Sequence, residues 1–127
     1  MRDLLLVGSG GFIGSVARYY LSGLVLHASG AARFPWGTLA VNALGCVTIG
    51  ALAALAEHLH VFSPSARLLL FTGLLGGFTT YSAFAYETYF LAREQLWAAA
   101  GANVALQVGL GLTGVWLGHR LASALVG

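Results

Sequence analysis

The stretch Gly76-Gly77-Phe78-Thr79-Thr80-Tyr81-Ser82-Ala83-Phe84 decides the fold, because it interrupts a hydrophobic run where a membrane helix would be continuous. That run begins near Arg67 and ends near Arg93, so the interruption falls close to its middle. Two adjacent glycines followed by hydroxyl residues weaken a helix and offer competing hydrogen bonds to its backbone. Hydrocarbon tolerates irregular backbone only where protein buries it or where it lines a wet cavity. The stretch therefore predicts a helix broken at mid-membrane, a common position for an ion or substrate site.

The composition places the whole chain in a membrane. Of 127 residues, 58% are hydrophobic and 8% are charged, whereas a soluble domain has about 25% charged residues. No basic cluster accompanies the net charge of +2, which argues against a nucleic-acid partner. The single Cys46 excludes a disulfide within the chain and is expected to be a packing residue.

The hydrophobic runs predict one domain, residues 1–127, with four membrane-spanning helices and short connections. A span needs roughly 20 largely apolar residues, and four runs meet this requirement. We expect the first run to be a retained helix rather than a signal peptide, because it is longer than an ordinary signal-peptide core and an acid follows its first base. The predicted spans are about 4–27, 37–58, 66–91 and 95–124.

The arginines give almost no orientation signal. Arg2, Arg67 and Arg120 fall on one side of the membrane, while Arg33 and Arg93 fall on the other. Arg18 joins the second group if its side chain extends outward to the interface. The positive-inside rule then compares three arginines on one side of the membrane with two or three on the other. This balance predicts dual topology, in which two oppositely inserted copies pair.

Polar side chains lie deep within three of the spans, where a polar group costs free energy and therefore calls for a structural or functional explanation. Asn42 lies about 9 Å into the second span at 1.5 Å per residue. Asn103 and Gln107 are four residues apart on one face of the fourth span, roughly 14–20 Å in. Hydrogen bonds between helices would explain any one of them alone, but together, beside a broken helix, they predict a polar track. The centre of the third span adds three hydroxyls, those of Thr79, Thr80 and Ser82.

The residues leave the sign of a bound ion open. Tyr81 and Phe84 put two rings on one helix face, and positive ring edges suit an anion, although core packing explains them equally well. Backbone carbonyls freed between Gly76 and Thr79 suit a small hard cation. Arg18 and Glu87 lie near span ends, about 22 Å from Asp3 and 30 Å from Arg67, where interfacial anchoring alone explains them.

At these residues the chain resembles the Fluc (CrcB) fluoride channel family over nearly its whole length. Three motifs carry the resemblance, in order and each on its expected span. They are Gly10-Gly11-Phe12-Ile13-Gly14-Ser15-Val16-Ala17-Arg18-Tyr19, Pro35-Trp36-Gly37-Thr38-Leu39-Ala40-Val41-Asn42-Ala43-Leu44-Gly45, and the break quoted above.

The resemblance implies an antiparallel, dual-topology homodimer in the cell inner (plasma) membrane, with two fluoride pores and a structural sodium ion. It implies passive export of fluoride by a channel that is not an enzyme. The sodium ligands would be the backbone carbonyls of Gly76 and Thr79, and Arg18, Gly77 and Glu87 would have structural or interface roles. The chain differs from the usual family residues at Tyr81, Asn103 and Gln107. The pore residues would be Asn42, Thr80, Tyr81, Ser82, Phe84, Asn103 and Gln107.

Three other functions remain as alternatives. A small multidrug-type transporter shares the four spans, but it relies on an acid deep in its first span, where this chain has only Asp3 at the mouth. Gly8-Ser9-Gly10-Gly11-Phe12-Ile13-Gly14 imitates a dinucleotide-binding fingerprint without the flanking strand and the acid about 20 residues on. A structural membrane subunit would use the polar residues only to hold helices together.

Overall fold

The computed structural model describes residues 1–30 and 33–127. Four of its helices are long and apolar enough to cross a membrane. The described residues contain no β-strand, so the all-α prediction is confirmed. The predicted spans lie within one or two residues of the observed helix ends. These helices, here called the first to fourth, are Arg2–Ser29, Trp36–Leu59, Pro64–Arg93 and Trp97–Val126.

Local signals set several of the helix ends. The first helix ends at Gly30, which has φ 59°, a left-handed conformation that costs glycine nothing. The third helix begins with Pro64 in its first turn, and the Ser63 side chain accepts a hydrogen bond from the Ala66 amide. A turn in which Gln95 has φ 59° separates the third and fourth helices. The connections are therefore short, as the sequence predicts.

The third helix is interrupted near its middle, which confirms the break predicted from the sequence. After the α-helical turn Pro64–Arg67 it widens into a π-helix, Leu68–Leu75, and then returns to α-helix over Gly76–Phe78. Thr79 and Thr80 are extended, with ψ 158° and 109°, and a second half-helix follows at Tyr81–Arg93. The π-helix was not predicted.

The break allows the third helix to change neighbours. Its first half packs mainly against the first helix, whereas Tyr81–Arg93 packs mainly against the fourth. The second helix packs most extensively against the fourth and also contacts the first. The extended residues at the break consequently lie where all four helices come close together.

Glycines bring these helices into backbone contact. A Cβ added to Gly14 would overlap the Leu74 carbonyl oxygen and lie 2.8 Å from the Phe78 nitrogen. A Cβ on Gly118 would overlap the Val47 carbonyl oxygen of the second helix. These glycines therefore let helices of the same chain approach closely. Gly10 and Gly14 of the fingerprint-like segment thus lie on a membrane helix and pack against the third helix.

The outer surface is mostly apolar. Large side chains such as Leu4, Phe12 and Leu112 are each at least 70% exposed. Such a surface suits lipid or a second copy of the chain rather than water.

Candidate functional site at the break in the third helix

The Asn42 side chain satisfies the backbone at the break. Its Oδ1 accepts a hydrogen bond from the Thr80 amide at 2.8 Å, and its Nδ2 donates to the Thr80 carbonyl at 3.1 Å. Thr80 is extended and cannot use its amide in a helical bond. Unsatisfied backbone groups are costly in a membrane. One amide side chain on the second helix thus replaces bonds that the third helix has lost.

The same amide reaches the fourth helix. Asn42 Nδ2 donates a second hydrogen bond to Gln107 Oε1 at 3.0 Å. The second, third and fourth helices therefore meet in one hydrogen-bonded cluster. Asn42, Thr80 and Gln107, three of the polar residues predicted as a track on separate spans, are brought together at this point.

Arg18 also binds to the break rather than standing free at an interface. Its Nε donates to the Gly77 carbonyl at 3.1 Å, and Ser15 Oγ lies 3.5 Å from the same oxygen. In a continuous helix that carbonyl would accept from the amide four residues on, that of Tyr81. Arg18 therefore holds the first half of the third helix against the first helix.

Two further carbonyls at the break lose their helical donors. In a continuous α-helix the Gly76 carbonyl would accept from the Thr80 amide, and the Thr79 carbonyl from the Ala83 amide. The Thr80 amide instead donates to Asn42, and the Ala83 amide donates to Thr80 Oγ1 at 3.2 Å. The two carbonyls that the resemblance assigns to sodium are thus among those whose helical donors are diverted.

A cavity of about 400 Å³ opens beside the break. Within it Tyr81 and Phe84 form an edge-to-face pair with ring centroids 5.5 Å apart, and Tyr81 is 80% exposed. None of the residues that line it carries a charged side chain. The predicted site residues that line the cavity are Asn42, Gly76, Thr79, Thr80, Tyr81, Phe84 and Gln107.

The other predicted pore residues lie outside this cavity. Ser82 is exposed, and its hydroxyl is 3.3 Å from that of Thr80. Asn103 is fully buried and donates through Nδ2 to Thr88 Oγ1 at 2.9 Å, while Thr88 donates to the Phe84 carbonyl. Asn103 therefore joins the third and fourth helices one turn away from Gln107.

A third polar contact lies nearer the end of the bundle. Thr38 Oγ1 donates to Glu87 Oε1 at 2.6 Å, and Glu87 Oε2 is buried without a hydrogen-bond partner. Thr38, Thr88 and Ser15 were not among the predicted site residues. Thr38 lies four residues before Asn42 and Thr88 four residues after Phe84, so helical spacing from the predicted residues was the signal that could have found them.

No group of three His, Cys, Asp or Glu side chains suited to a metal ion occurs in residues 1–30 and 33–127. The backbone carbonyls at the break are oxygen atoms of the kind that small hard cations accept as ligands.

These features define a class of protein. The chain has four membrane-crossing helices, one of them discontinuous, and an uncharged cavity with a few amide and hydroxyl groups lies at the discontinuity, as in membrane proteins that pass ions or small solutes. A family profile described as "CrcB-like protein, Camphor Resistance (CrcB)" matches residues 5–119. The chain belongs to this family, and its four spans make it a multi-pass plasma-membrane protein.

Individual relatives match over nearly their whole length. A protein of Methylobacillus flagellatus is 51% identical over 121 residues, covering 95% of this chain and 94% of the relative. One of Rhizobium etli is 46% identical, covering 99% and 100%. One of Rhodospirillum rubrum is 49% identical, covering 91% and 90%. Each of the three is named a fluoride-specific ion channel.

Proposed function

We propose that this protein is a fluoride-selective ion channel that lets cytoplasmic fluoride leave the cell passively. The observation that carries the proposal is the uncharged cavity at the break, into which a few amide and hydroxyl groups project, in a chain about half identical to channels named for fluoride. Fluoride enters a cell as the neutral acid, ionises inside and needs a route outward. A channel that supplies this route lowers fluoride toxicity without any covalent chemistry.

The cavity offers the contacts that a strongly hydrated anion requires. A pore must replace the hydrogen bonds of water without holding the ion so tightly that it cannot leave. Amide hydrogens, hydroxyls and the positive edges of the Tyr81 and Phe84 rings supply several weak contacts in series. A full positive charge in the cavity would hold fluoride more strongly, and the cavity lining has none.

The working unit we propose is an antiparallel homodimer with two pores. The near-even division of arginines between the two sides supports dual topology. The exposed surface beside the break, which includes Tyr81 and Gly76, supports contact with a second copy of the chain. A second copy placed at the break would cover both residues.

We also propose that a structural sodium ion binds at the dimer centre. The carbonyls of Gly76 and Thr79 fit this role, since their helical donors are diverted to Asn42 and Thr80. Each copy would contribute the same two oxygens, and oxygen ligands suit a small hard cation. The ion would attract carbonyl oxygens that otherwise repel one another across the interface, and so hold the two breaks together.

Fluoride release from liposomes tests the function. Purified protein should release fluoride when a potassium–valinomycin clamp removes the membrane potential, and chloride should barely move. The small multidrug-type transporter and the structural subunit both predict no fluoride release. Well-folded protein that releases none would refute the channel function.

A further inference from the structure

A second cluster of polar side chains lies at one end of the bundle, where the second and fourth helices pack. Close backbone contact brings it together, because a Cβ added to Gly50 would overlap the Val115 carbonyl oxygen. About two helical turns beyond Gly50 the second helix carries an acid and a histidine, and one turn beyond Val115 the fourth helix carries another histidine. The cluster consists of Glu57, His58, His119 and Ser123.

The Glu57 carboxylate fixes the orientation of the His119 ring. Glu57 Oε2 lies 3.0 Å from His119 Nε2. An ionised carboxylate can only accept a hydrogen bond, so Nε2 must carry the hydrogen. In the neutral imidazole the free lone pair is then on the other nitrogen, Nδ1, and a free imidazole lone pair is what a metal ion binds. Metal-binding histidines characteristically donate their second N–H to a carboxylate in this way.

The Ser123 hydroxyl lies within reach of both imidazoles. Its Oγ is 3.5 Å from His119 Nδ1 and 3.2 Å from His58 Nε2. Both separations exceed the usual optimum of about 2.7–3.0 Å for hydrogen bonds. They agree with the spacing between two ligands of a tetrahedral zinc ion, which is about 3.4 Å when each ligand lies about 2.1 Å from the metal. The three atoms are therefore spaced as ligands of one ion would be.

Glu57 belongs to the surroundings of such an ion rather than to its ligands. It lies on the far nitrogen of His119, which agrees with the finding that no three His, Cys, Asp or Glu side chains of residues 1–30 and 33–127 converge on one point. The Glu57 side chain is 66% exposed and that of His119 37%. Ions and water can consequently reach the cluster from solvent.

We propose that His58 and His119 bind a divalent transition-metal ion, Zn²⁺ or a metal of similar preference, and so join the second and fourth helices. Ser123 Oγ is the third protein ligand, and water completes the coordination, as in open zinc sites. Glu57 is a positioning residue that holds the His119 ring. Imidazole suits Zn²⁺, whereas Mg²⁺ prefers oxygen ligands. The site is distinct from the proposed sodium site and does not depend on the channel function.

Thermal unfolding in detergent tests the site, with protein that carries no polyhistidine tag and has been freed of metal by a chelator. Zn²⁺ should raise the melting temperature, because a ligand that binds only the folded state stabilises it. Mg²⁺ at the same concentration should not. His58→Ala and His119→Ala should each abolish the rise. Absence of a rise in the unmodified protein, or a rise that survives in either variant, would overturn the proposal.

The chain's other two histidines provide matched controls. His27→Ala removes an exposed histidine of the first helix. His60→Asn removes the histidine nearest to His58 in sequence, and asparagine tolerates the left-handed φ of 50° at this position. Both variants should keep the zinc-dependent rise. Loss of the rise in either of them would show that zinc binds elsewhere.

Isothermal titration of zinc separates positioning from direct binding. The unmodified protein should bind a single zinc ion per chain. Glu57→Gln keeps an acceptor for His119 but loses the charge, so its affinity for zinc should fall about 10–100-fold while the melting temperature without zinc stays the same. Glu94→Gln makes the same change at an exposed turn and should bind zinc as the unmodified protein does. Equal zinc affinity in Glu57→Gln and Glu94→Gln would contradict the positioning role.

Discussion

At the scale of single residues, the break depends on side chains that replace lost helical hydrogen bonds. Asn42 satisfies both backbone groups of Thr80, and Arg18 satisfies the Gly77 carbonyl. Depth in the spans predicted that Asn42 and Gln107 belong to one polar group near the break, and the two side chains are hydrogen-bonded to each other there. Their bonding could not be predicted, because it depends on how three helices dock. For Arg18, spacing along the chain was compatible with a role as an interfacial anchor. The structure shows instead that its side chain donates a hydrogen bond to the Gly77 carbonyl at the break.

The contribution of Arg18 can be measured in isolation. Arg18→Ala leaves the Gly77 carbonyl without its charged donor, so the free energy of unfolding should fall by about 1.5–3 kcal/mol. Arg2→Ala removes the same side chain from an exposed position and should leave it almost unchanged. Thermal unfolding in detergent measures both variants. Equal melting temperatures would mean that the Arg18 bond does not stabilise the break.

At the scale of helices, glycine permits the close contact that positions the break. The first helix and the first half of the third touch through backbone at Gly10, Gly14, Gly73 and Gly77. Adjacent glycines and threonines were sufficient to predict where the third helix stops. The π-helix Leu68–Leu75 left no comparable signal, because six of its eight residues are Leu or Phe, which are common in ordinary membrane helices.

Gly14→Ala tests this contact. The added methyl group would overlap backbone atoms of Leu74 and Phe78, which cannot move aside as a side chain would. We expect a loss of about 1–3 kcal/mol in the free energy of unfolding. Gly23→Ala on the same helix meets nothing within 4 Å and should be neutral or slightly stabilising. A Gly14→Ala protein as stable as Gly23→Ala would contradict the close packing.

At the scale of the whole molecule, composition and hydrophobic runs were enough to predict four apolar segments whose ends lie within one or two residues of the helix ends in the structure. The sequence could not give the exchange of neighbours at the break, because that exchange depends on contacts between residues far apart in the chain. Dual topology remains a prediction. It rests on an arginine count whose two sides nearly cancel.

Labelling of single cysteines measures the topology. In a Cys46→Ser background, Ser29→Cys and Ser63→Cys place thiols at opposite ends of the bundle, both at exposed positions. Dual topology predicts that a membrane-impermeant thiol reagent, applied from one side, labels about half of each variant. Permeabilised membranes give the value for full labelling. Complete labelling of one variant and none of the other would show a single orientation.

The most direct measurement of fluoride selectivity is a reversal potential in a planar bilayer. Sodium is kept equal on both sides, fluoride differs tenfold, and chloride makes up the balance in the opposite sense. A fluoride-selective pore predicts a reversal potential near 59 mV with the sign set by the fluoride gradient. A value near zero, or one with the sign of the chloride gradient, would contradict a fluoride-selective channel at the break.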